Sequence, residues 1–133
     1  MTTKARVLAC SLGALLGAAT SVAQAVEWRQ YFENTKSVRF YIDQNSYVRL
    51  LNGNVQAWQK REREPGDGSL YLIEVNCGER KYFIKSISFV KKTPDNLKWI
   101  AEHADDYKEW VTFEPNELDE DTFVAWCRPN QRR

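Results

Sequence analysis

The run from Leu70 to Ile84, LYLIEVNCGERKYFI, constrains this chain more than any other stretch. It holds two alternating apolar segments that fold back on each other around Gly78, with Cys77 at the bend. On the outgoing segment Tyr71, Ile73, Val75 and Cys77 share one face, and Leu70, Leu72, Glu74 and Asn76 share the other. The return segment spans Arg80 to about Val90. There Tyr82, Ile84, Ser86, Ser88 and Val90 alternate with Phe83, Lys85, Ile87 and Phe89. Apolar residues on both faces place this hairpin at the centre of a sheet rather than at its edge.

The first residues read as an export signal. Lys4 and Arg6 precede an apolar run from Val7 to Ala19, and Ala23 and Ala25 are the small residues of a cleavage site after Ala25. The run is shorter than the roughly 18 apolar residues that a membrane-spanning helix needs. Cys10 lies before most of the apolar region, whereas a lipobox cysteine follows it. The expected division is a signal peptide over 1–25 and one domain over 26–133. Loss of Lys4 and Arg6 takes the formal charge from +1 to about −1. That balance argues against a nucleic-acid partner. No later stretch is long and apolar enough to span a bilayer, so no integral membrane segment is expected in the mature chain.

Two cysteines remain after such a cleavage, Cys77 and Cys127. In an oxidising compartment an even pair reads as a disulfide. It would close a loop of about fifty residues, which the chain-entropy model values at about 4 kcal/mol. A zinc site wants more ligands than these and His103 supply, and a redox site favours a close Cys-x-x-Cys pair. With no Asn-x-Ser/Thr sequon, the signal and the cysteines point to the periplasm or cell surface of a Gram-negative bacterium.

Flanking the hairpin, strands are expected over Val26–Phe32, with Tyr31 and Phe32 out of phase with Val26 and Trp28. Further strands are expected over Val38–Ile42, Tyr47–Leu51 and Val55–Lys60. Asp43 to Ser46 forms a turn, and Asn52-Gly53-Asn54 a tight hairpin. Arg61 to Glu64 reads as a solvated strand end, and Pro65 to Ser69 as a loop. Lys91 to Glu109 holds either a short helix opened near Pro94 or an irregular insertion. Trp110 to Phe113 offers a last short strand. Asn116 caps a C-terminal helix whose first turn is acidic and whose Phe123, Val124 and Cys127 share a face. The expected fold is α+β: one antiparallel sheet of about six strands, with the C-terminal helix tied to it through Cys77 and Cys127.

The search for chemistry yields no catalytic residue, no cofactor-binding motif and no metal-ligand spacing. Glu102, His103 and Asp106 form the one acid–base grouping, in a charged segment that reads as solvated. Five tryptophans are many for so short a domain. Trp28, Trp58 and Trp126 fall at regular positions and read as core. Trp99 and Trp110 do not, and are the candidate binding surface.

Taken in order, several segments resemble the bacterial surface-adhesin protein E family. They are Trp28; Phe40 to Asp43 with Ser46; Asn52 to Trp58; Tyr71, Glu74, Val75, Asn76 and Cys77; Arg80 to Tyr82; Trp110; and the helix closing on Cys127. The resemblance covers most of Trp28 to Cys127. It implies a sheet with a C-terminal helix held by Cys77–Cys127, and a non-enzymatic envelope protein. It also implies a protein ligand, such as a host extracellular-matrix glycoprotein, and a homodimer among the partners. A soluble periplasmic structural or inhibitor protein acting on an envelope partner is the alternative.

Overall fold

The computed structural model of the chain describes residues 25–131. Of the expected signal peptide only Ala25 is among them; the rest of that reading lies outside the described residues. Seven strands form one antiparallel sheet: β1 (Trp28–Glu33), β2 (Arg39–Asp43), β3 (Val48–Arg49), β4 (Val55–Glu64), β5 (Asp67–Asn76), β6 (Lys81–Phe89) and β7 (Val111–Thr112). Among the described residues two α-helices accompany it, α1 (Pro94–Glu102) and α2 (Glu117–Cys127). The sheet order is β1-β2-β4-β5-β6-β7, with β3 also paired to β4, so successive strands lie side by side. The α+β class and the central hairpin are as expected.

The seven strands correspond to the seven segments read as strands, and one edge of β4 carries two of them end to end. β2 pairs with Gln59–Glu62 and β3 with Val55–Gln56. A 3₁₀ turn over Gln44–Ser46 fills the gap where a plain turn was expected. Its side chains complete the ladder: Ser46 Oγ donates to the Asp43 carbonyl at 2.8 Å and accepts the Trp58 N–H at 2.9 Å. Asp43 Oδ1 accepts from the Asn45 and Glu27 N–H groups. The N–H groups at this break therefore keep partners, as buried backbone requires.

Two turns differ from expectation. β4 and β5 run to within two residues of each other, so the expected loop over Pro65 to Ser69 reduces to Pro65–Gly66, with Gly66 at φ 81°. Proline presets the first turn residue and glycine takes the left-handed second one. In the central hairpin the left-handed residue is Arg80, at φ 54°, and not Gly78. Asn76 Oδ1 accepts the Glu79 N–H at 2.9 Å and closes that turn.

Two bulges reset which face side chains occupy. Leu72 lies opposite Ser86 but Ile73 opposite Ile84, so Lys85 is extra. Ile87 consequently falls opposite Tyr71, on the same face as Ile84, which corrects the unbroken alternation expected for the return strand. In β1, Gln30 lies opposite Tyr41 and Phe32 opposite Phe40, so Tyr31 is extra. Tyr31 and Phe32 then both turn to the helix side, which explains their phase in the sequence.

The core forms where α2 lies on one face of the sheet. Ile42, Val55, Ala57, Ile73 and Val75 meet Phe113, Phe123, Ala125 and Trp126. Trp126 is 0% exposed and donates its indole N–H to the Ile73 carbonyl at 3.2 Å. Asn116 caps α2 through the Asp119 N–H, and Glu117, Asp119 and Glu120 occupy its first turn. The buried stripe is Thr122, Phe123, Ala125 and Trp126. Val124, expected on the packing face, is only half-buried because Ala125 and Trp126 take its place. Cys77 and Cys127 are joined by a disulfide with Cα atoms 5.8 Å apart, so the end of α2 is bolted to the sheet beside the central hairpin. The segment left open between a helix and an insertion contains α1, capped by Thr93.

Candidate functional site

The strand registers sort the sheet into two unlike faces. One is sealed by α2. The other carries Trp28, Tyr41, Trp58, Lys60, Leu70 and Leu72, which the pairings of β1, β2, β4 and β5 bring to a common side. Trp58 lies opposite Leu72 and Lys60 opposite Leu70. Asp43, opposite Trp28, closes one end of the row. A cavity of about 300 Å³ opens between Val26, Trp28, Asp43, Trp58, Leu70 and Ser88. Its floor is apolar. Trp28, Trp58, Leu70 and Leu72 are each half-buried.

Charged side chains rim this apolar centre. At one end Lys60 Nζ lies 5.0 Å from the Trp28 ring and 4.8 Å from the Tyr41 ring, in reach of both π faces. It also pairs with Glu62 at 3.5 Å, and Arg39 pairs with the same carboxylate at 3.7 Å. At the other end Glu74, opposite Gln56, accepts from Asn54 Nδ2 at 2.7 Å and Asn52 Nδ2 at 3.3 Å and pairs with Lys85 at 3.3 Å. Burial alone would raise the Glu74 carboxyl, but these amide and ammonium partners hold it below the ordinary carboxylate value. Interfaces between proteins commonly join an apolar centre to a polar rim.

The tryptophans fall differently from their reading in the sequence. Trp126 is core, as expected. Trp28 and Trp58, also read as core, instead stand on the open face, because alternation shows that Trp58 opposes Ala57 but not which side a distant helix will cover. Trp110 is 45% exposed and rests on Phe83, ring centroids 5.4 Å apart. Trp99 is 38% exposed, edge-on to Phe89 and stacked on His103 at 4.1 Å. The two thus flank opposite ends of β6, roughly 20 Å apart along the strand. They are both accessible and do not form one cluster.

Other sequence candidates resolve simply. His103 approaches Asp106 at 4.0 Å on an exposed helix end, and its Nδ1 is 2.9 Å from the Trp99 carbonyl. Among the described residues no group of three His, Cys, Asp or Glu side chains is placed to hold a metal ion. Among the described residues no helix is long and apolar enough to cross a membrane. No protein-family model, curated protein or solved structure matches the chain.

Proposed function

We propose that this chain is an exported, non-enzymatic cell-envelope binding protein, similar in kind to surface-adhesin E, that engages a protein ligand through the open face of its sheet. The observation that carries the reading is the Trp58–Leu72 pair with Trp28 and Leu70, an aromatic and aliphatic centre that no helix among the described residues covers. Aromatic side chains supply much contact area at little cost in conformational freedom, and they dominate binding energy at such centres. The disulfide supports export, because structural disulfides persist in oxidising compartments. The ligand class favoured by the resemblance is a host extracellular-matrix glycoprotein.

The test is saturable binding of the exported protein to immobilised vitronectin or laminin, alongside surface labelling of intact cells. Trp58→Ala is expected to weaken binding at least about tenfold, the scale of a central aromatic anchor. Unchanged binding by Trp58→Ala removes the open face from the reading. Absence of saturable binding, with the protein confined to the periplasm, removes the adhesin role. Recovery of an envelope protein that depends on Trp58 would then establish the periplasmic alternative.

A further inference from the structure

Arg61 stands apart from the other half-buried cations of the sheet. Arg39, Lys60 and Arg80 each pair with a carboxylate. Arg61 pairs with none within 4.0 Å among the described residues. It was expected at a solvated strand end, yet it is half-buried on the helix side of β4, opposite Phe40 and Ser69. Its guanidinium lies 3.9 Å from the Tyr71 ring centroid and 5.4 Å from that of Phe40. Desolvating a cation without a counter-charge is costly, and aromatic faces offset only part of that cost.

The protein holds this side chain in place with a directed hydrogen-bond relay. Arg61 Nε donates to Gln59 Oε1 at 2.6 Å, and Gln59 Nε2 donates to the Tyr31 hydroxyl at 2.6 Å. Thr122 Oγ1 donates to the Leu118 carbonyl at 2.8 Å, so in the 3.0 Å contact between Tyr31 and Thr122 it is the Tyr31 hydroxyl that donates. Gln59 is only 2% exposed, so the anchor of Arg61 is itself buried. Burial pushes the Tyr31 hydroxyl up to about 12, which keeps it neutral and denies Arg61 a phenolate partner. The relay consumes Nε. The two Nη groups have no protein acceptor among the described residues, although a guanidinium offers donors there in a fork that matches a carboxylate.

A crevice of about 170 Å³ lies beside Arg61, between the sheet and the start of α2. Phe40, Ile73, Tyr82, Phe113 and Leu118 supply its apolar walls. An apolar cavity of about 150 Å³ accommodates a benzene ring. Asp119 also borders the crevice, with Oδ2 engaged by the Glu114 N–H at 2.6 Å. Its charge disfavours a ligand carrying a second negative group.

We propose that this crevice is a binding site for a small organic monocarboxylate, whose apolar body fills the pocket between β2, β6 and α2 while its carboxylate takes the Nη fork of Arg61. The site is on the opposite side of the sheet from the open face and stands independently of the adhesin reading.

The experiment is a titration of the exported protein with benzoate and, separately, with its neutral isostere benzamide, followed by amide chemical shifts. Benzoate is expected to bind with a Kd on the order of 1 mM, shifting the Gln59 side-chain amide and the backbone of Tyr82 and Phe113. Benzamide is expected to bind at least about tenfold more weakly. Arg61→Met, checked by thermal unfolding, is expected to erase the difference between the two probes. Equal affinity for both on the unaltered protein overturns the proposal without any variant. So does the absence of shifts at Gln59, or shifts confined to Trp58 and Leu70 on the open face.

Discussion

Glu74 shows how one side chain couples the open face to the stability of the sheet. Its carboxylate is nearly buried, yet ionised by preference because Asn54, Asn52 and Lys85 converge on it. The sign of its pH dependence follows. A carboxyl whose folded value lies below its ordinary 4.5 contributes stability that is complete above that value. The contribution is lost as the pH falls through the lower folded value. Glu74→Gln is therefore expected to cost about 1.5–3 kcal/mol at neutral pH, the scale of a charged hydrogen bond. It is also expected to flatten the acid limb of a plot of unfolding free energy against pH. Denaturant melts of both proteins from neutral pH down to the acid limb check this; parallel curves would mean that Glu74 is not held in the ionised form. Glu74 was visible in the sequence as a polar residue in an apolar strand and as part of the resemblance, not as a buried charge. Two of its three partners come from the Asn52–Asn54 turn, which was legible as a turn but not as a clamp, because the contact depends on how β4 and β5 register.

At the scale of the element, α2 depends on both its stripe and its bolt. Thr122, Phe123, Ala125 and Trp126 bury the stripe, and the disulfide fixes the end that carries Cys127. Replacing both cysteines by serine is expected to lower stability by about 2–4 kcal/mol while leaving the sheet paired. Thermal unfolding with far-ultraviolet circular dichroism reads both quantities; an unchanged melting temperature would show the bolt to be without consequence. The cysteine pair and the β5–β6 hairpin were legible because pairing arithmetic and period-two alternation are local signals. The bulges at Tyr31 and Lys85 were less so. One extra residue inverts every later side chain, and Lys85 has no local feature that distinguishes it from an ordinary exposed strand position. Tyr31 did leave a trace, as two consecutive aromatics where alternation allows one. The relay from Arg61 to α2 follows from that bulge and was not legible, since its members lie far apart in the chain.

At the scale of the whole molecule, the sheet is a partition between a sealed side and an open one. Neighbouring residues of β5 should therefore respond oppositely to a charge. Val75 is fully buried under α2, and Val75→Lys is expected to prevent folding, because an unpaired ammonium there has neither water nor partner. Leu72 faces the open side, and Leu72→Lys is expected to cost only about 1 kcal/mol. Expression yield and melting temperature of the two variants measure the contrast; a Leu72→Lys protein that fails to fold would mean that the open face is part of the core. The same partition explains why the tryptophans misled. Size and spacing identify a side chain that wants cover, while the side on which cover arrives is set by a helix that begins only at Glu117.

The disulfide also changes what kind of object the chain is. Cys77 and Cys127 are 50 positions apart, and the backbone between them, closed by the sulfur bridge, is a covalent ring. β6, α1, β7 and all of α2 lie on that ring, while β1 to β5 form a tail attached to it at one point. A break in the peptide backbone at the exposed α1 segment would open the ring into two arms without dividing the molecule. Both arms would remain covalently one piece until the bridge itself was reduced.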